Sequence, residues 1–271
     1  MRPAGVAADG VVERPLTTPS GQFDLTGRRA VLTGAARGIG RAAAVALARH
    51  GAELILVDIL EDELTATAAE FVRGGIAAHA FPIDVRSGDD VRRLAETAAA
   101  LGGADILVNS AGVVHRAMAT EATVEDLDRL WQVNVRGLYA VTQAVLPQLV
   151  DKRSGKIINV GSLGSVLGLE CRAAYAATKG AVRQYTQSLA VDLGCHGICV
   201  NAIAPGYIET RMTADWLNGD DHRRQRMLDR IPVGRFGRTG DVEGAFVFLA
   251  APASDYVTGQ IIVVDGGWSS W

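Results

Sequence analysis

Short apolar segments alternate with longer amphipathic segments from about residue 28 to the end of the chain. Several apolar segments contain almost no polar side chains, which is typical of strands that are covered on both faces of a sheet. Most are rich in Val, Ile and Leu, as buried strands commonly are. The pattern predicts seven strands, at 29–33, 53–58, 77–81, 105–109, 156–160, 198–203 and 260–264.

Alanine-rich segments with helical periodicity separate the predicted strands. Regular alternation of strands and helices is typical of a parallel sheet, and right-handed crossovers place the helices on both of its faces. We therefore predict an α/β fold built on a single Rossmann-type, doubly wound parallel sheet of about seven strands. The predicted helices cover residues 41–50, 61–73, 89–101, 124–149, 172–193 and 241–249.

The first 25 residues are rich in Pro, Gly and polar side chains and show no periodicity of either kind. We predict a flexible arm at 1–25, followed by one Rossmann-fold domain at 26–271, because no repeat or change of composition divides the rest of the chain. Residues 207–237 are polar and rich in Arg and Asp. They interrupt the alternation, so we predict an irregular, mobile lid there.

The composition of the chain argues against several classes of protein. A formal net charge of −3 argues against nucleic acid or an anionic membrane surface as the main partner. No apolar run approaches the roughly 20 residues that a membrane span needs. The three cysteines have neither the density of a disulfide scaffold nor a zinc-like spacing. We therefore expect reduced thiols, no metal site and a cytoplasmic location.

A glycine-rich turn follows the first predicted strand and leads into a helix, with the sequence Thr33-Gly34-Ala35-Ala36-Arg37-Gly38-Ile39-Gly40. Glycine lets the backbone turn tightly and approach a pyrophosphate, and a helix N-terminus attracts its negative charge. Glycines also mark ordinary turns, so the stretch alone is weak evidence. The strand–turn–helix context makes it a predicted dinucleotide-binding turn.

The residue that ends the second predicted strand indicates which dinucleotide binds. Asp58 lies 18 residues after Gly40. A carboxylate at this place accepts hydrogen bonds from the adenosine ribose hydroxyls and repels a 2′-phosphate. Arg37 in the glycine turn works in the opposite direction, because a basic residue there favours a 2′-phosphate. We predict NAD rather than NADP, since Asp58 is expected nearer the ribose.

Tyr175 and Lys179 form a candidate acid/base pair in the fifth predicted helix. Residues four apart share one face of a helix, about one turn from each other. A phenol is a poor base at neutral pH because its reference pKa is about 10. A nearby ammonium and a nicotinamide cation would both favour the phenolate. The alternative is an ordinary pair on the helix surface.

Polar residues follow two more predicted strands and would meet at the same edge of the sheet. Ser162 comes just after the strand 156–160, where its hydroxyl can donate to a substrate carbonyl oxygen. The sequence Asn-Ser-Ala-Gly at 109–112 ends another strand. Asn134 is a polar residue within an otherwise apolar helix, where the usual interpretation is a core amide that bends the helix. Ser162 alone is more often a turn residue than a catalyst.

In this order and spacing the motifs resemble those of the short-chain dehydrogenase/reductase family of the classical type, over about residues 25–271. The combination is highly specific. Ser110 departs from the family pattern, which has a second asparagine there, and this puts the local turn hydrogen bonding in doubt. The resemblance is carried by 33–40, Asp58, Asp84, Val85, 109–112, Asn134, Ser162, Tyr175, Lys179, Pro205, Gly206, Ile208, Thr210 and 264–267.

The resemblance implies an oxidoreductase that interconverts a secondary alcohol and a ketone by hydride transfer, with 26–271 as its catalytic domain and 207–237 as its substrate lid. Tyr175 would exchange the proton of the substrate oxygen, and Ser162 would hydrogen-bond that oxygen. Lys179 would bind the nicotinamide ribose and lower the pKa of the tyrosine. Asn134 would hold a water that links Lys179 to solvent.

The resemblance also implies the cofactor contacts. Asp84 and Val85 would contact adenine, and Asn109 the ribose on the adenosine side. Ile208 and Thr210 would contact the nicotinamide carboxamide. The complete set predicted to bind the dinucleotide is Gly34, Arg37, Gly38, Ile39, Gly40, Asp58, Asp84, Val85, Asn109, Ala111, Gly112, Tyr175, Lys179, Pro205, Gly206, Ile208 and Thr210.

Substrate choice must come from side chains around the nicotinamide. We predict substrate contacts at Ser162, Gly164, Glu170, Arg172, Tyr175 and Tyr207. The overall pattern is most similar to the sugar-alcohol (polyol) dehydrogenase branch, and family resemblance implies a homotetramer. Two alternatives stay open: a 3-oxoacyl carrier-protein reductase that uses NADPH, and a non-catalytic dinucleotide-sensing protein on the same fold.

Overall fold

The computed structural model of the protein describes residues 21–270, apart from the side chains at 215 and 218. All seven predicted strands are present in it, with ends that differ by at most two residues from the predicted ones. Their bounds are β1 Arg29–Thr33, β2 Glu53–Asp58, β3 Ala78–Pro82, β4 Ile106–Asn109, β5 Gly155–Val160, β6 Ile198–Pro205 and β7 Ile261–Val264. They form one parallel sheet in the order β3-β2-β1-β4-β5-β6-β7, which confirms the predicted fold class.

The sheet is covered on both faces, as its apolar strands require. Val31 and Leu32 are neighbours in β1, are both fully buried, and belong to separate hydrophobic clusters on opposite faces. Leu54 and Ile55 divide in the same way in β2. The helices are α1 Gly38–Arg49, α2 Glu61–Arg73, α3 Gly88–Ala100, α4 Val124–Trp131, α5 Leu138–Lys152, α6 Ala173–Leu193, α7 Arg211–Asn218, α8 Asp221–Asp229 and α9 Glu243–Ala250.

Two predicted segments differ from the observed structure. The helix predicted at 124–149 is divided, because a π-helical stretch at Gln132–Gly137 separates α4 from α5. The segment 207–237 is not irregular, since it contains α7 and α8. Its few apolar side chains pack together and hold these helices on the domain; the buried ones are Leu217, Met227, Ile231 and Phe236.

The predicted arm at 1–25 lies mostly outside the described residues, which begin at 21. Leu25 is fully buried in the core, so the packed domain begins before the predicted boundary at 26. The backbone of Gln22 also accepts a hydrogen bond from the N–H of Ala253 at 3.0 Å. Within residues 21–270, no helix combines the length and apolar character needed to cross a membrane.

Candidate active site

The glycine turn lies where the order of the strands reverses, between β1 and β4 at the carboxyl edge of the sheet. Ligands of doubly wound sheets bind at such a point. Gly34 has a φ of +69°, and a Cβ there would lie 2.8 Å from the backbone nitrogen of Ala111. A Cβ on Gly40 would overlap the carbonyl of Gly34. The turn therefore needs glycine at both positions, because backbone approaches backbone here.

The start of α1 has the features of an anion site. Arg37 occupies the N-cap position, and its side chain does not cap the helix. The first turn, which contains Gly38 and Ile39, holds no acidic residue. Its backbone N–H groups and the helix dipole are thus available to a pyrophosphate. The residues present fit a dinucleotide.

Asp58 lies beside the turn, as predicted. One of its carboxylate oxygens accepts a hydrogen bond from the N–H of Ala36 at 3.0 Å, and the other accepts from Leu60 at 3.1 Å. Arg37 extends to Glu63, 3.4 Å away, and Arg211 from α7 pairs with the same carboxylate at 3.0 Å. The adenosine end of the cleft therefore holds a fixed carboxylate and, beside it, two arginines that share one glutamate.

The end of β4 closes the other side of the turn. The Thr33 hydroxyl accepts hydrogen bonds from the N–H groups of Ser110 and Ala111, both at 3.1 Å, so Ser110 leaves the turn intact. The Asn109 side chain is buried, and its amide donates to Thr142 at 3.0 Å and to Asn159 at 2.9 Å. The contact of Asn109 with the ribose on the adenosine side stays a prediction, and it would fall to the backbone of this residue.

The predicted adenine side of the cleft is built by Asp84 and Val85. The Asp84 carboxylate forms a fork with the Arg86 guanidinium at 2.6–2.9 Å, which holds the pKa of Asp84 below its usual value. Val85 is buried, and a Cβ on Gly137 would approach its side chain to 2.7 Å. The Asp84 side chain is therefore held in place by Arg86, and its adenine contact stays a prediction.

Tyr175 and Ser162 meet in one pocket at the carboxyl edge of the sheet. The Ser162 hydroxyl is close enough to the phenol to lower the pKa of Tyr175. Burial raises the pKa of Tyr175 above its usual value, and the Ser162 hydroxyl and the nearby charges of Arg172 and Arg116 offset this only in part. The phenol is thus protonated in the protein alone, which is the state that can donate a proton to a ketone oxygen.

Lys179 lies behind Tyr175 in α6. Its ammonium is 5.9 Å from the centre of the tyrosine ring and donates to the carbonyl of Val160 at 2.7 Å. Burial lowers the pKa of Lys179 to about 8. In the protein alone burial raises the pKa of Tyr175, so the lowering of this pKa by Lys179 in the presence of the dinucleotide stays a prediction.

Asn134 is buried in the π-helical stretch between α4 and α5. Its side-chain oxygen accepts from the N–H of Val113 at 2.8 Å, and its amide donates to the Val113 carbonyl at 2.9 Å and to the Thr178 hydroxyl at 3.1 Å. The side chain thus fastens the loop after β4 to α6. Because both amide hydrogens are used, a water predicted at Asn134 would need its backbone carbonyl.

The substrate pocket contains most, but not all, of the predicted contacts. Gly164 is buried against α6, where a Cβ would lie 3.2 Å from the Cα of Ala176, so this residue packs the fold rather than meeting substrate. Glu170 is exposed outside the pocket, whereas Arg172, on the other side of a left-handed turn at Cys171, lines it. The pocket is lined by Val114, Arg116, Ser162, Leu163, Leu169, Arg172, Tyr175, Pro205, Gly206, Tyr207, Met212 and Thr213.

The other residues predicted at the nicotinamide end differ in exposure. Pro205 and Gly206 line the pocket. The Ile208 side chain is buried in the core, so only its backbone can reach a carboxamide. Thr210 caps α7 and faces the glycine turn across the cleft, with its methyl group 3.9 Å from a Cβ built on Gly38. Thr210 is therefore placed to contact a dinucleotide that spans the cleft.

Sequence reasoning missed Arg116 and the aromatic wall of the pocket. Arg116 lies in the loop after β4, where a single arginine gives no pattern to recognise. Trp216 in α7 stacks on Tyr207, with ring centres 5.7 Å apart, and Trp268 from the chain's end contacts Tyr207 edge-on at 4.6 Å. Residue 271 lies beyond the described residues. Of the described tail, Trp268 packs within its own chain.

Comparisons with known proteins agree with this geometry. The chain matches a family model described as Enoyl-(Acyl carrier protein) reductase over residues 34–269. It is 40% identical to a gluconate 5-dehydrogenase of Gluconobacter oxydans, over 90% of this chain and 96% of that protein. It is 37% identical to a 3-oxoacyl-[acyl-carrier-protein] reductase of Thermotoga maritima, over 90% of this chain and 98% of the relative.

A solved structure with a similar fold is a gluconate 5-dehydrogenase from Burkholderia cenocepacia in complex with NADP and tartrate. Its TM-score is 0.89 at 40% identity, covering 93% of this chain and 99% of the other. The relatives named for sugar-derived substrates are sugar-acid dehydrogenases, a branch close to the polyol dehydrogenases. By sequence, by fold and by the arrangement of its cleft, the chain belongs to the short-chain dehydrogenase/reductase family of the classical type, as an oxidoreductase that acts on CH–OH groups with a nicotinamide dinucleotide.

Proposed function

We propose that the protein is an NAD-dependent oxidoreductase that interconverts a secondary alcohol and a ketone on a polyhydroxy carboxylic acid. The observation that carries the proposal is that Tyr175, Ser162 and Arg116 line one pocket. A hydroxyl group on the substrate can hydrogen-bond with both the phenol and the serine hydroxyl. The Arg116 guanidinium can then bind a negatively charged group elsewhere on the same substrate.

The Tyr175 oxygen exchanges the proton of the reacting hydroxyl. In alcohol oxidation the phenolate accepts this proton, and in ketone reduction the phenol returns it. Ser162 donates a hydrogen bond to the same oxygen as negative charge develops there. When bound, the nicotinamide ring supplies the acceptor or donor of the hydride.

Lys179 and Asn134 support Tyr175 in its role as the base. The Lys179 ammonium lies between the carbonyl of Val160 and the tyrosine ring, where it can bind ribose hydroxyls and favour the phenolate. Since burial lowers its pKa to about 8, Lys179 can also release a proton near neutral pH. Asn134 keeps the Val113 loop against α6, so it positions the wall of the pocket.

Two observations support a sugar acid as the substrate: the positive charge of Arg116 in the pocket and the similarity to relatives named for sugar acids. Arg116 is half-buried in the pocket wall, and its Nε is buried without a hydrogen-bond partner. A guanidinium in such a place suits a carboxylate. Relatives at 36–40% identity are named for gluconate, 5-keto-D-gluconate and 2-dehydro-3-deoxy-D-gluconate. We therefore favour a sugar acid over the neutral sugar alcohol that the sequence pattern first indicated.

A substrate panel tests this function. NADH formation is followed by absorbance with sugar acids, neutral polyols and hydroxyacyl thioesters, all with NAD. We expect turnover of a sugar acid, with kcat/KM at least about 10-fold above that of the matched polyol, because one charged hydrogen bond is worth about that much. Preference for a thioester would favour the carrier-protein reductase, for which one relative is named. Turnover of none of them would contradict the proposal.

NAD preference is supported by the carboxylate of Asp58, which is held at the predicted ribose site. The Asp58→Ser variant removes a negative charge that repels a 2′-phosphate. We expect the ratio of kcat/KM for NAD to that for NADP to fall by about 10- to 100-fold. The wild-type protein should prefer NAD. A wild-type preference for NADP, which accompanies the relative from Burkholderia cenocepacia, would mean that Arg37 and Arg211 outweigh Asp58.

A homotetramer is supported by apolar side chains that α4, α5 and α6 leave exposed. Trp131, Tyr139 and Val191 are 42%, 51% and 81% exposed, and Tyr139 packs on Tyr185 from the next helix. Such a surface is typical of an interface between subunits. Light scattering after gel filtration should give about four times the chain mass of 28.5 kDa. A stable monomer at micromolar concentration would refute the assembly.

A further inference from the structure

Arg172 is an almost buried cation at the wall of the substrate pocket. It is only 8% exposed, although arginine is rarely buried without a partner. Its guanidinium lies over the Trp216 ring, 4.3 Å from the ring centre, and 5.3 Å from that of Tyr207. Its Nε is buried without a hydrogen-bond acceptor. The aromatic faces hold the guanidinium in place but leave its N–H donors unused.

Arg172 is not alone at this ring. The guanidiniums of Arg116 and Arg223 lie 5.0 Å and 4.9 Å from the Trp216 ring centre. Among the described side chains, no carboxylate forms an ion pair with any of the three. Burial and the charge of Arg172 lower the pKa of Arg116, so the positive charges act on each other. Arg223 is engaged with the Trp216 carbonyl at 2.7 Å, which leaves Arg116 and Arg172 facing the pocket.

The two loops that carry Arg116 and Arg172 are fastened together. The N–H of Ala117 donates to the carbonyl of Cys171 at 3.0 Å, and the Cys171 thiol lies 3.2 Å from the sulfur of Met118. Cys171 has a φ of +56°, a left-handed conformation that is unusual for a residue other than glycine. Backbone strain of this kind persists where the surrounding structure holds a functional geometry. Arg172 directly follows this strained turn and lines the pocket.

We infer that Arg116 and Arg172 together bind a substrate with two negatively charged groups, the second of which is a carboxylate or a phosphate ester held by Arg172. A buried guanidinium beside a half-buried one, with no acidic partner for either among the described side chains, destabilises the pocket until anions neutralise the two charges. One carboxylate accepts hydrogen bonds from the N–H groups of one guanidinium, so we expect the second arginine to bind a second anionic group. Both guanidiniums lie within 5.0 Å of one ring centre, which matches charges a few carbons apart.

This inference rests on the proposed function where it places a reacting hydroxyl at Tyr175. The binding of a second anion by Arg172 does not depend on that function. The cavity of the pocket is small, about 80 Å³, which suits a small molecule rather than a long acyl chain. Tyr175 and Ser162 line the same pocket as both arginines. A short polyhydroxy diacid can therefore reach the guanidiniums with its ends and Tyr175 with a hydroxyl between them.

Binding is tested without turnover in the NADH-loaded Tyr175→Phe protein. Calorimetric titration compares D-glucitol, D-gluconate, D-glucarate and D-gluconate 6-phosphate, which carry no, one or two anionic groups. We expect at least one dianion to bind at least about 10-fold more tightly than gluconate. The tighter dianion identifies the second group. Adding Arg172→Met should remove this advantage and leave gluconate binding within about threefold.

Arg226→Met is the matched control, because Arg226 is an exposed arginine of α8 outside the pocket and its loss makes the same charge change. It should leave all four affinities unchanged. Equal binding of gluconate and both dianions would overturn the inference. So would an Arg172→Met protein that binds all four ligands equally weakly, since Arg172 would then only support Trp216. A wild-type protein that binds dianions but oxidises no sugar acid would contradict the proposed function and leave this inference intact.

Discussion

Replacing Tyr175 with phenylalanine is expected to lower kcat by about 10²- to 10⁴-fold, the usual contribution of a positioned acid/base. The change removes one oxygen and leaves the ring, which packs 5.9 Å from the Lys179 ammonium. NADH affinity, measured by fluorescence titration, should change by less than about threefold. Loss of turnover with retained binding would separate an enzyme from a dinucleotide-sensing protein on the same fold.

The ionisation of Tyr175 also determines whether the rate of each reaction rises or falls with pH. Alcohol oxidation needs the phenolate, so its rate rises with pH, and ketone reduction needs the phenol, so its rate falls. Burial raises the pKa of Tyr175 in the protein alone, and a nicotinamide cation lowers it once bound. The oxidation profile at saturating NAD should therefore reach half its maximum below the ordinary tyrosine pKa of 10.0.

Tyr185→Phe is the matched control for this variant. Tyr185 lies in the same helix outside the pocket lining, and its hydroxyl accepts a long hydrogen bond from the Gln143 amide at 3.4 Å. Its replacement should leave kcat within about twofold, since the change removes one long hydrogen bond and keeps the ring. Equal losses in the two variants, or full activity in Tyr175→Phe, would show that the phenol oxygen does no acid/base work.

Gly40→Ala is expected to weaken NAD binding by about 100-fold or more, because a Cβ at this position overlaps the carbonyl of Gly34. The obstacle is backbone rather than a flexible side chain, so the turn itself must move. Its movement displaces the N–H groups that face the pyrophosphate, and one lost charged hydrogen bond alone is worth about 10- to 100-fold. Calorimetric titration with NAD measures the effect directly.

Gly244→Ala is the control for the glycine change. Gly244 lies in α9, where a built Cβ meets nothing within 4 Å. Alanine favours the helix there by up to about 1 kcal/mol, so thermal unfolding should shift upward and NAD binding should stay unchanged. A Gly40→Ala protein with wild-type NAD affinity would mean that the dinucleotide does not lie on the glycine turn.

Features that depend on local chemistry could be predicted from the sequence. Continuous apolar runs identified most of the strands, because a strand covered on both faces carries few polar side chains. The glycine turn was recognisable because close backbone contact excludes any side chain at Gly34 and Gly40. Ser162 could be predicted at the cleft because the edge of a parallel sheet collects the ends of its strands, and the family resemblance implied that Tyr175 lies beside it.

Features that depend on distant packing could not be predicted. Helices α7 and α8 looked irregular because only a few apolar residues, among them Leu217 and Met227, hold them to the domain. Glu170 and Arg172 looked equivalent, although only Arg172 lines the pocket, because no sequence pattern marks the left-handed turn at Cys171 between them. The sequence also does not show that the Asn109 side chain is bound within the sheet by an amide of the next strand, Asn159.

A crystal structure of the complex with NADH and a bound sugar acid would test directly whether Tyr175 and Ser162 act on the substrate. We expect one substrate hydroxyl within hydrogen-bond distance, about 2.6–3.2 Å, of both the Tyr175 and Ser162 oxygens, with a carboxylate of the substrate bound to Arg116. A sugar acid bound in another place, or in this pocket with no oxygen near Tyr175, would contradict it.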